Sequence, residues 1–137
     1  RGVSMQKPRE AFSFSRRLAS VRHALQGLRF TLVTQHNFRI QLVAAIATVG
    51  LGLLWRVSAD DWRWLVLAIA IVLAAELVNT AFEHLCDVVQ PELHASVKAA
   101  KDVAAGAVLV ASIGAAVIGV LVFWPYVASQ FWPPAAR

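Results

Sequence analysis

Cysteine and methionine each occur once among the 137 residues, and charged residues make up only 15% of them. The lone Cys86 excludes an internal disulfide and any CxxC metal site. A buried free cysteine behaves as a small hydrophobe, so Cys86 reads as a helix-packing residue rather than a nucleophile. The only methionine, Met5, is expected to mark the natural start, with Arg1 to Ser4 a remnant ahead of it. No Walker A loop, no GxGxxG and no HEXXH occurs, so the familiar nucleotide and protease signatures are absent. The N-terminus also lacks the short apolar segment and small-residue cleavage site of a signal peptide.

What the chain has is apolar surface. With 58% hydrophobic residues and a mean hydropathy of +0.61, it has room for one domain and too much oil for a soluble one. It reads as a small polytopic membrane protein. The formal charge of +5 comes from arginines in the N-terminal third, beside apolar runs and without the stacking aromatics of a single-strand binder. That pattern points to an anionic leaflet and away from nucleic acid.

Residues 1–11 are polar, contain Pro8 and are expected to lack order, ahead of a single domain over 12–137. From about 13 to 34, Leu18, Val21, Leu25, Leu28 and Leu32 recur at helical spacing, with Arg16, Arg22, His23, Gln26 and Arg29 largely between them. This predicts an amphipathic helix on the membrane surface. Apolar runs over about 38–55, 62–85 and 103–126 are each long enough to cross the bilayer. Between them lie a short loop with Arg56, Asp60, Asp61 and Arg63, and a polar connection from Asp87 to Asp102 broken at Pro91. Trp55, Trp62 and Trp64, and then Phe123, Trp124 and Tyr126, read as interfacial aromatic belts. In the third span, Ala107, Ala111, Ala115 and Gly119 recur at every fourth position as a packing stripe. One side carries the N-terminal arginines, Arg39, Lys98 and Lys101; the other has Arg56, Arg63 and Arg137. The positive-inside rule therefore puts the N-terminus and the second loop in the cytoplasm.

The second span ends in Glu76-Leu-Val-Asn79-Thr-Ala-Phe-Glu83-His-Leu-Cys-Asp87. At about 100° per residue, Glu76, Asn79, Glu83 and Asp87 fall within an arc of roughly 80°. A carboxylate at membrane depth costs several kcal/mol unless paired, protonated or bound to a cation, so the stripe is a candidate site. Oxygen-only ligands suit Mg2+ rather than zinc. A proton or ion pathway, or a polar seam between helices, fits the same stripe. Phosphoryl transfer needs a metal on the phosphates, a positive charge and a base for the acceptor hydroxyl, and the carboxylates, the amide and the Lys101-Asp102 pair could supply them. Glu76 and Glu83 are about 10 Å apart along the axis, suited to Glu83 holding Mg2+ while Glu76 meets a lipid hydroxyl across the phosphate. Asp87 also fits a cap on the second loop, and Asp102 a cap on the third helix. His36 and His84 read as interfacial polar residues outside the site.

The ordered set Glu76, Asn79, Glu83 and Asp87, then Glu92-Leu-His94, then Ala100-Lys101-Asp102-Val-Ala-Ala-Gly106-Ala, resembles the prokaryotic diacylglycerol kinase family over roughly residues 14–126. Asn37-Phe38-Arg39-Ile40 and Lys101 to Gly106 look more like its undecaprenol kinase branch. The resemblance implies an all-α integral membrane protein: three transmembrane helices plus an N-terminal surface helix, forming a homotrimer in the bacterial cytoplasmic membrane. It implies active sites shared between subunits, MgATP as donor and a membrane lipid alcohol as acceptor, undecaprenol or, alternatively, diacylglycerol. By motif position Glu76 would be the general base with Asn79 beside it, Glu83 a metal ligand and Asp87 a site-organising residue. Arg16, His23, Glu92, His94, Lys101 and Asp102 would meet the nucleotide. The family often has a second metal-binding Glu three residues before the Phe-Arg pair; here that position is Gln35, an amide that can ligate without adding charge. An alternative of another class is a non-catalytic interaction protein or an ion-conducting oligomer.

Overall fold

The computed structural model describes residues 14–92 and 94–131. The expected disordered stretch 1–11 with its remnant and Met5, and the charge at Arg137, lie outside the described residues. All secondary structure among the described residues is helical: α1 Phe14–Thr34, α2 His36–Leu54, α3 Ala59–Val89 and α4 Ala95–Phe131. Three of them, α2, α3 and α4, are long and apolar enough to cross a membrane.

Helix α1 ends where its own threonines compete for its carbonyls. Thr31 Oγ1 donates to the Gly27 carbonyl at 3.1 Å and Thr34 Oγ1 to that of Phe30 at 2.9 Å, a back-bonding that favours bending. Gln35, in extended conformation (φ −102°, ψ 116°), is the whole connection to α2. Among the described residues the end of α1 is anchored through buried Thr31 and an edge-on contact between Phe30 and His84 with ring centroids 4.9 Å apart. Its apolar residues otherwise stay uncovered, Leu18 at 64% and Leu25 at 60% exposure.

The opposite end of the bundle is tied more tightly. Helix α2 closes in a Schellman arrangement, with Val57 N–H donating to the Gly52 carbonyl (3.0 Å) and Arg56 N–H to that of Leu53 (3.3 Å). Arg56 takes the left-handed position (φ 51°) that usually falls to glycine. Ser58 then caps α3, its Oγ accepting from Asp61 N–H at 3.1 Å, while Asp60 and Asp61 complement the helix dipole. From α4, the Tyr126 hydroxyl donates to Asp61 Oδ2 at 2.6 Å and accepts from Ser58 N–H at 3.0 Å. Val57, Leu65 and Val122 form the buried cluster beneath, with Trp55, Trp62 and Phe123 packed on it. The aromatic belts are therefore divided: Trp64 and Trp124 stay exposed, whereas Trp55, Trp62 and Phe123 hold helices together. The Trp62 ring fills the space over Gly52, where a Cβ would stand 2.8 Å from Cη2 and 2.9 Å from Cζ2. Gly52→Ala should destabilise the fold by about 1–3 kcal/mol, since an indole wedged in a cluster yields little. A lowered thermal midpoint in detergent checks this.

Helix α3 is the central element, packed along α4, against α2 and against the end of α1. Its buried residues Leu65, Ala68, Val72, Glu76 and Asn79 follow one another at steps of three or four. They line one face. The polar stripe is thus the continuation of the apolar seam, and the helix turns from oil to carboxylate without changing face. Beside it α2, α3 and α4 enclose an apolar cleft of ≈770 Å³ that runs from Asn37 and Gln41 past Ala68 and Ala115 to Trp124.

Two expectations from hydropathy are corrected. The polar connection does not extend from Asp87 to Asp102: α3 runs to Val89 and α4 starts at Ala95, leaving residues 90–94 between them. The 31 residues of α3 and 37 of α4 span about 46 and 55 Å at 1.5 Å each, well beyond a hydrocarbon core of about 30 Å. Both helices continue into water, and hydropathy marks the edge of the oil rather than the end of the helix. Consequently Asp102 lies about two turns inside α4 and does not cap it; it accepts from Lys98 Nζ at 2.7 Å, an i,i+4 pair supporting the exposed first turns.

Candidate active site

The site grows from the polar half of the α3 seam. Glu76 is 2% exposed, although it is a carboxylic acid on a membrane-spanning helix. Its Oε2 accepts from Gln41 Nε2 of α2 at 3.3 Å. One turn on, Asn79 is 7% exposed and its Nδ2 donates to Glu83 Oε1 at 3.1 Å. Asn79 thereby couples the deep part of the stripe to half-buried Glu83. At the water-facing end Asp87 accepts from Lys101 Nζ at 2.5 Å, joining α3 to α4. Asp87 is therefore a cross-link within the hairpin and not a loop cap. Lys101 lies ahead of the apolar part of α4, and its ammonium is held above the ordinary lysine range, chiefly by that hydrogen bond.

Three buried oxygens along the seam have no hydrogen-bond partner: Gln41 Oε1, Asn79 Oδ1 and Thr80 Oγ1. Buried polar atoms left unpaired are costly and mark places where a ligand, water or ion belongs. Among the described residues no group of three or more His, Cys, Asp or Glu could hold a metal by itself. A closed zinc or calcium cage does not fit this donor set. Magnesium does, because it keeps several waters and takes one or two carboxylates together with substrate phosphates. Glu83 and the free Asn79 Oδ1 are the oxygens at hand.

The remaining residues singled out by sequence are placed as follows. Glu92 and His94 are exposed in the α3–α4 connection, with His94 Nδ1 accepting from Ser96 N–H at 3.3 Å. Gln35 is half-buried at the α1–α2 break and its side chain makes no capping bond. Arg16 and His23 are exposed on α1, about four and two turns before Phe30, where α1 touches α3. The structure thus sets Glu76, Asn79, Glu83 and Asp87 along one face of α3 in three separate pairs, Gln41–Glu76, Asn79–Glu83 and Lys101–Asp87, in none of which Gln35, Arg16 or His23 takes part. Lys101 and Asp102 do not pair with each other: each turns to a different partner. Sequence reasoning missed Gln41 and Thr80. A lone amide in the Ala- and Gly-rich first span was the available signal for Gln41.

Fold and site together define a class: small helical membrane proteins whose central span carries carboxylates at one rim of the bilayer. The chain belongs to the prokaryotic diacylglycerol kinase family, whose model matches residues 22–123 and so takes in Glu76, Asn79, Glu83, Asp87 and Lys101. It is 40% identical over 103 residues to the undecaprenol kinase of Bacillus subtilis (strain 168), covering 75% of this chain and 84% of that protein. To the diacylglycerol kinase of Synechocystis sp. it is 39% identical over 103 residues, 74% of this chain but only 59% of the relative's length. The diacylglycerol kinase of Escherichia coli (strain K12) is 27% identical over 113 residues, 82% of this chain and 93% of that protein. These relatives are lipid kinases, and the chain is a membrane protein of that kind.

Proposed function

We propose that the chain transfers the γ-phosphate of MgATP to the hydroxyl of a membrane lipid alcohol, undecaprenol above all, at the cytoplasmic rim of the bacterial inner membrane. The observation that carries this reading is the buried Glu76 carboxylate, on the same face of α3 as the Asn79–Glu83 pair and, toward the water-facing end, Asp87 with its Lys101 partner. At one end the apolar cleft is lined by Asn37 and by Gln41, the side chain that holds Glu76. A lipid chain lying there presents its hydroxyl to the deep carboxylate.

In the proposed reaction Glu76 takes the alcohol proton as the alcohol oxygen attacks the γ-phosphorus and the bond to the ADP oxygen breaks. Glu83 and Asn79 hold the nucleotide-borne Mg2+, which when bound supplies positive charge against the phosphate oxygens. Asp87 fixes Lys101 so that its ammonium faces the phosphates. Glu92, His94 and Asp102, on the same water-facing hairpin, are assigned to nucleotide binding. Arg16 and His23 are assigned to it from a neighbouring copy, and Gln35 to a second, weaker ion position.

The one-carboxylate ligand set and the largely uncovered α2 and α4 faces support a homotrimer whose subunits complete one another's sites. The uncovered leucines of α1 support its lying on the cytoplasmic leaflet. The charge asymmetry of the loops supports the orientation.

Undecaprenol is favoured by the 40% identity to the Bacillus enzyme across 84% of its length. The diacylglycerol reading rests on the Synechocystis relative at 39%. Labelled ATP offered to the purified protein in nanodiscs containing both lipids separates them. The expected result is label in undecaprenyl phosphate at roughly tenfold or greater kcat/KM over diacylglycerol; preferential labelling of phosphatidic acid overturns the choice.

A further inference from the structure

Gln41 stands on the inner face of α2, the face that also carries Phe38, Ala45, Thr48 and Gly52. These neighbours are hydrocarbon or small, and a carboxamide among them needs a partner. It has one on one side only: Nε2 donates to Glu76 Oε2 at 3.3 Å, while the buried Oε1 is unpartnered. The amide orientation follows from the chemistry, because an ionised carboxylate only accepts and Nε2 is the only donor in the amide. A carboxylate fixed through one oxygen has the other left to act.

We propose that Gln41 is the positioning residue for the base. Resting on the reading of Glu76 under the proposed function, it holds Oε2 so that Oε1 faces the hydroxyl of the lipid alcohol at the mouth of the cleft. The geometry has three parts. Gln41 lines the cleft and donates to Glu76, and so belongs to both. It acts from α2, so that the base is held from outside its own helix. The unpartnered Gln41 Oε1 and, one turn beyond Glu76 on the α3 seam, the unpartnered Thr80 Oγ1 leave buried acceptors in the niche. Such a niche receives a donor, and a hydroxyl is one.

A purely interhelical hydrogen bond would look the same at rest but behave differently. Losing glue lowers stability and leaves turnover per folded oligomer intact, whereas losing the positioning group lowers kcat with stability little changed. The test compares wild type, Gln41→Met and Gln41→His in nanodiscs with MgATP and undecaprenol, following kcat, both KM values and the thermal midpoint. Met keeps the volume and removes the donor; His restores an N–H. The expected result for Gln41→Met is a fall in kcat of roughly tenfold to hundredfold, from misplacement of the base. The KM for MgATP should stay within about twofold, because the nucleotide meets Glu83 and Lys101 elsewhere. Gln41→His should recover most of the loss. Wild-type kcat in Gln41→Met, or a fall wholly accounted for by a smaller folded fraction, overturns the role of Gln41 and leaves the lipid kinase reading standing. Should wild type itself transfer no phosphate to any lipid alcohol, the reading of Glu76 fails first, and the role of Gln41 with it.

Discussion

Glu83→Gln is expected to lower phosphoryl transfer by roughly 10³-fold or more, in an oligomer that still folds and elutes as wild type does. The substitution is close to isosteric, and the hydrogen bond from Asn79 Nδ2 to Oε1, 3.1 Å long, survives when the glutamine presents its own carbonyl oxygen there. What disappears is one negative charge on the group assigned to hold Mg2+. An amide oxygen can ligate but adds no charge, so the ion is held far more weakly, and the loss falls on the nucleotide side of the site. Stability should change by less than about 1 kcal/mol, because the local hydrogen bond is retained. Steady-state assays over a wide Mg2+ range, with size-exclusion profiles of both proteins, check the prediction. Near-normal phosphorylation by Glu83→Gln would remove Glu83 from the site.

Glu76→Gln carries the second large effect. Loss of a general base typically costs 10²–10⁴-fold, and roughly that range is expected in kcat. Here too the fold has no reason to suffer, since an amide among Gln41, Asn79 and Thr80 is less costly to bury than a carboxylate. The KM for MgATP should hold, which separates this variant from Glu83→Gln, where nucleotide binding falls with turnover. Glu76→Asp keeps the chemistry but draws the carboxylate back by one methylene. It should retain more activity than the amide while remaining well below wild type, as expected when a reacting group is displaced by about 1 Å. Single-turnover rates at saturating lipid alcohol measure both.

The contrast between these two acids was legible before any coordinates, because helical geometry alone puts Glu76, Asn79, Glu83 and Asp87 on one face. Their order along the axis also follows from residue number. What each acid touches across the bundle does not follow in the same way, since the pairing of Glu76 with Gln41 and of Asp87 with Lys101 depends on how α2 and α4 are set against α3. Adjacent Lys101 and Asp102 look like a natural pair in one dimension, yet on a helix neighbours point about 100° apart and find partners elsewhere. The same holds for the aromatic residues. Their positions at the span ends are visible in the sequence, but only packing shows that Trp62 covers Gly52 and Trp55 meets Phe123, at 5.4 Å between ring centroids.

Helix length was the least readable feature. Apolar runs end at the membrane edge, whereas α3 and α4 continue past it with Asp87, Lys98 and Asp102 on ordinary exposed turns. Those extra turns carry Lys101 ahead of the apolar part of α4, while Glu76 stays buried among the helices. Gln41 is hard to read from the sequence for a related reason: a neutral amide carries no charge to mark it, though an unpaired amide in a span needs a partner almost as much as a charge does.

The account as a whole depends on a buried carboxylate meeting a lipid hydroxyl across a phosphate delivered from water. Its most direct test is Mg2+-dependent ATP consumption by the purified chain in nanodiscs, read with and without added lipid alcohol. The expected result is negligible ADP release without the alcohol, and with it one ADP for each phosphate recovered in the lipid phase. ATP consumption indifferent to the alcohol, or none in its presence, would contradict the account and favour a non-catalytic or ion-conducting oligomer.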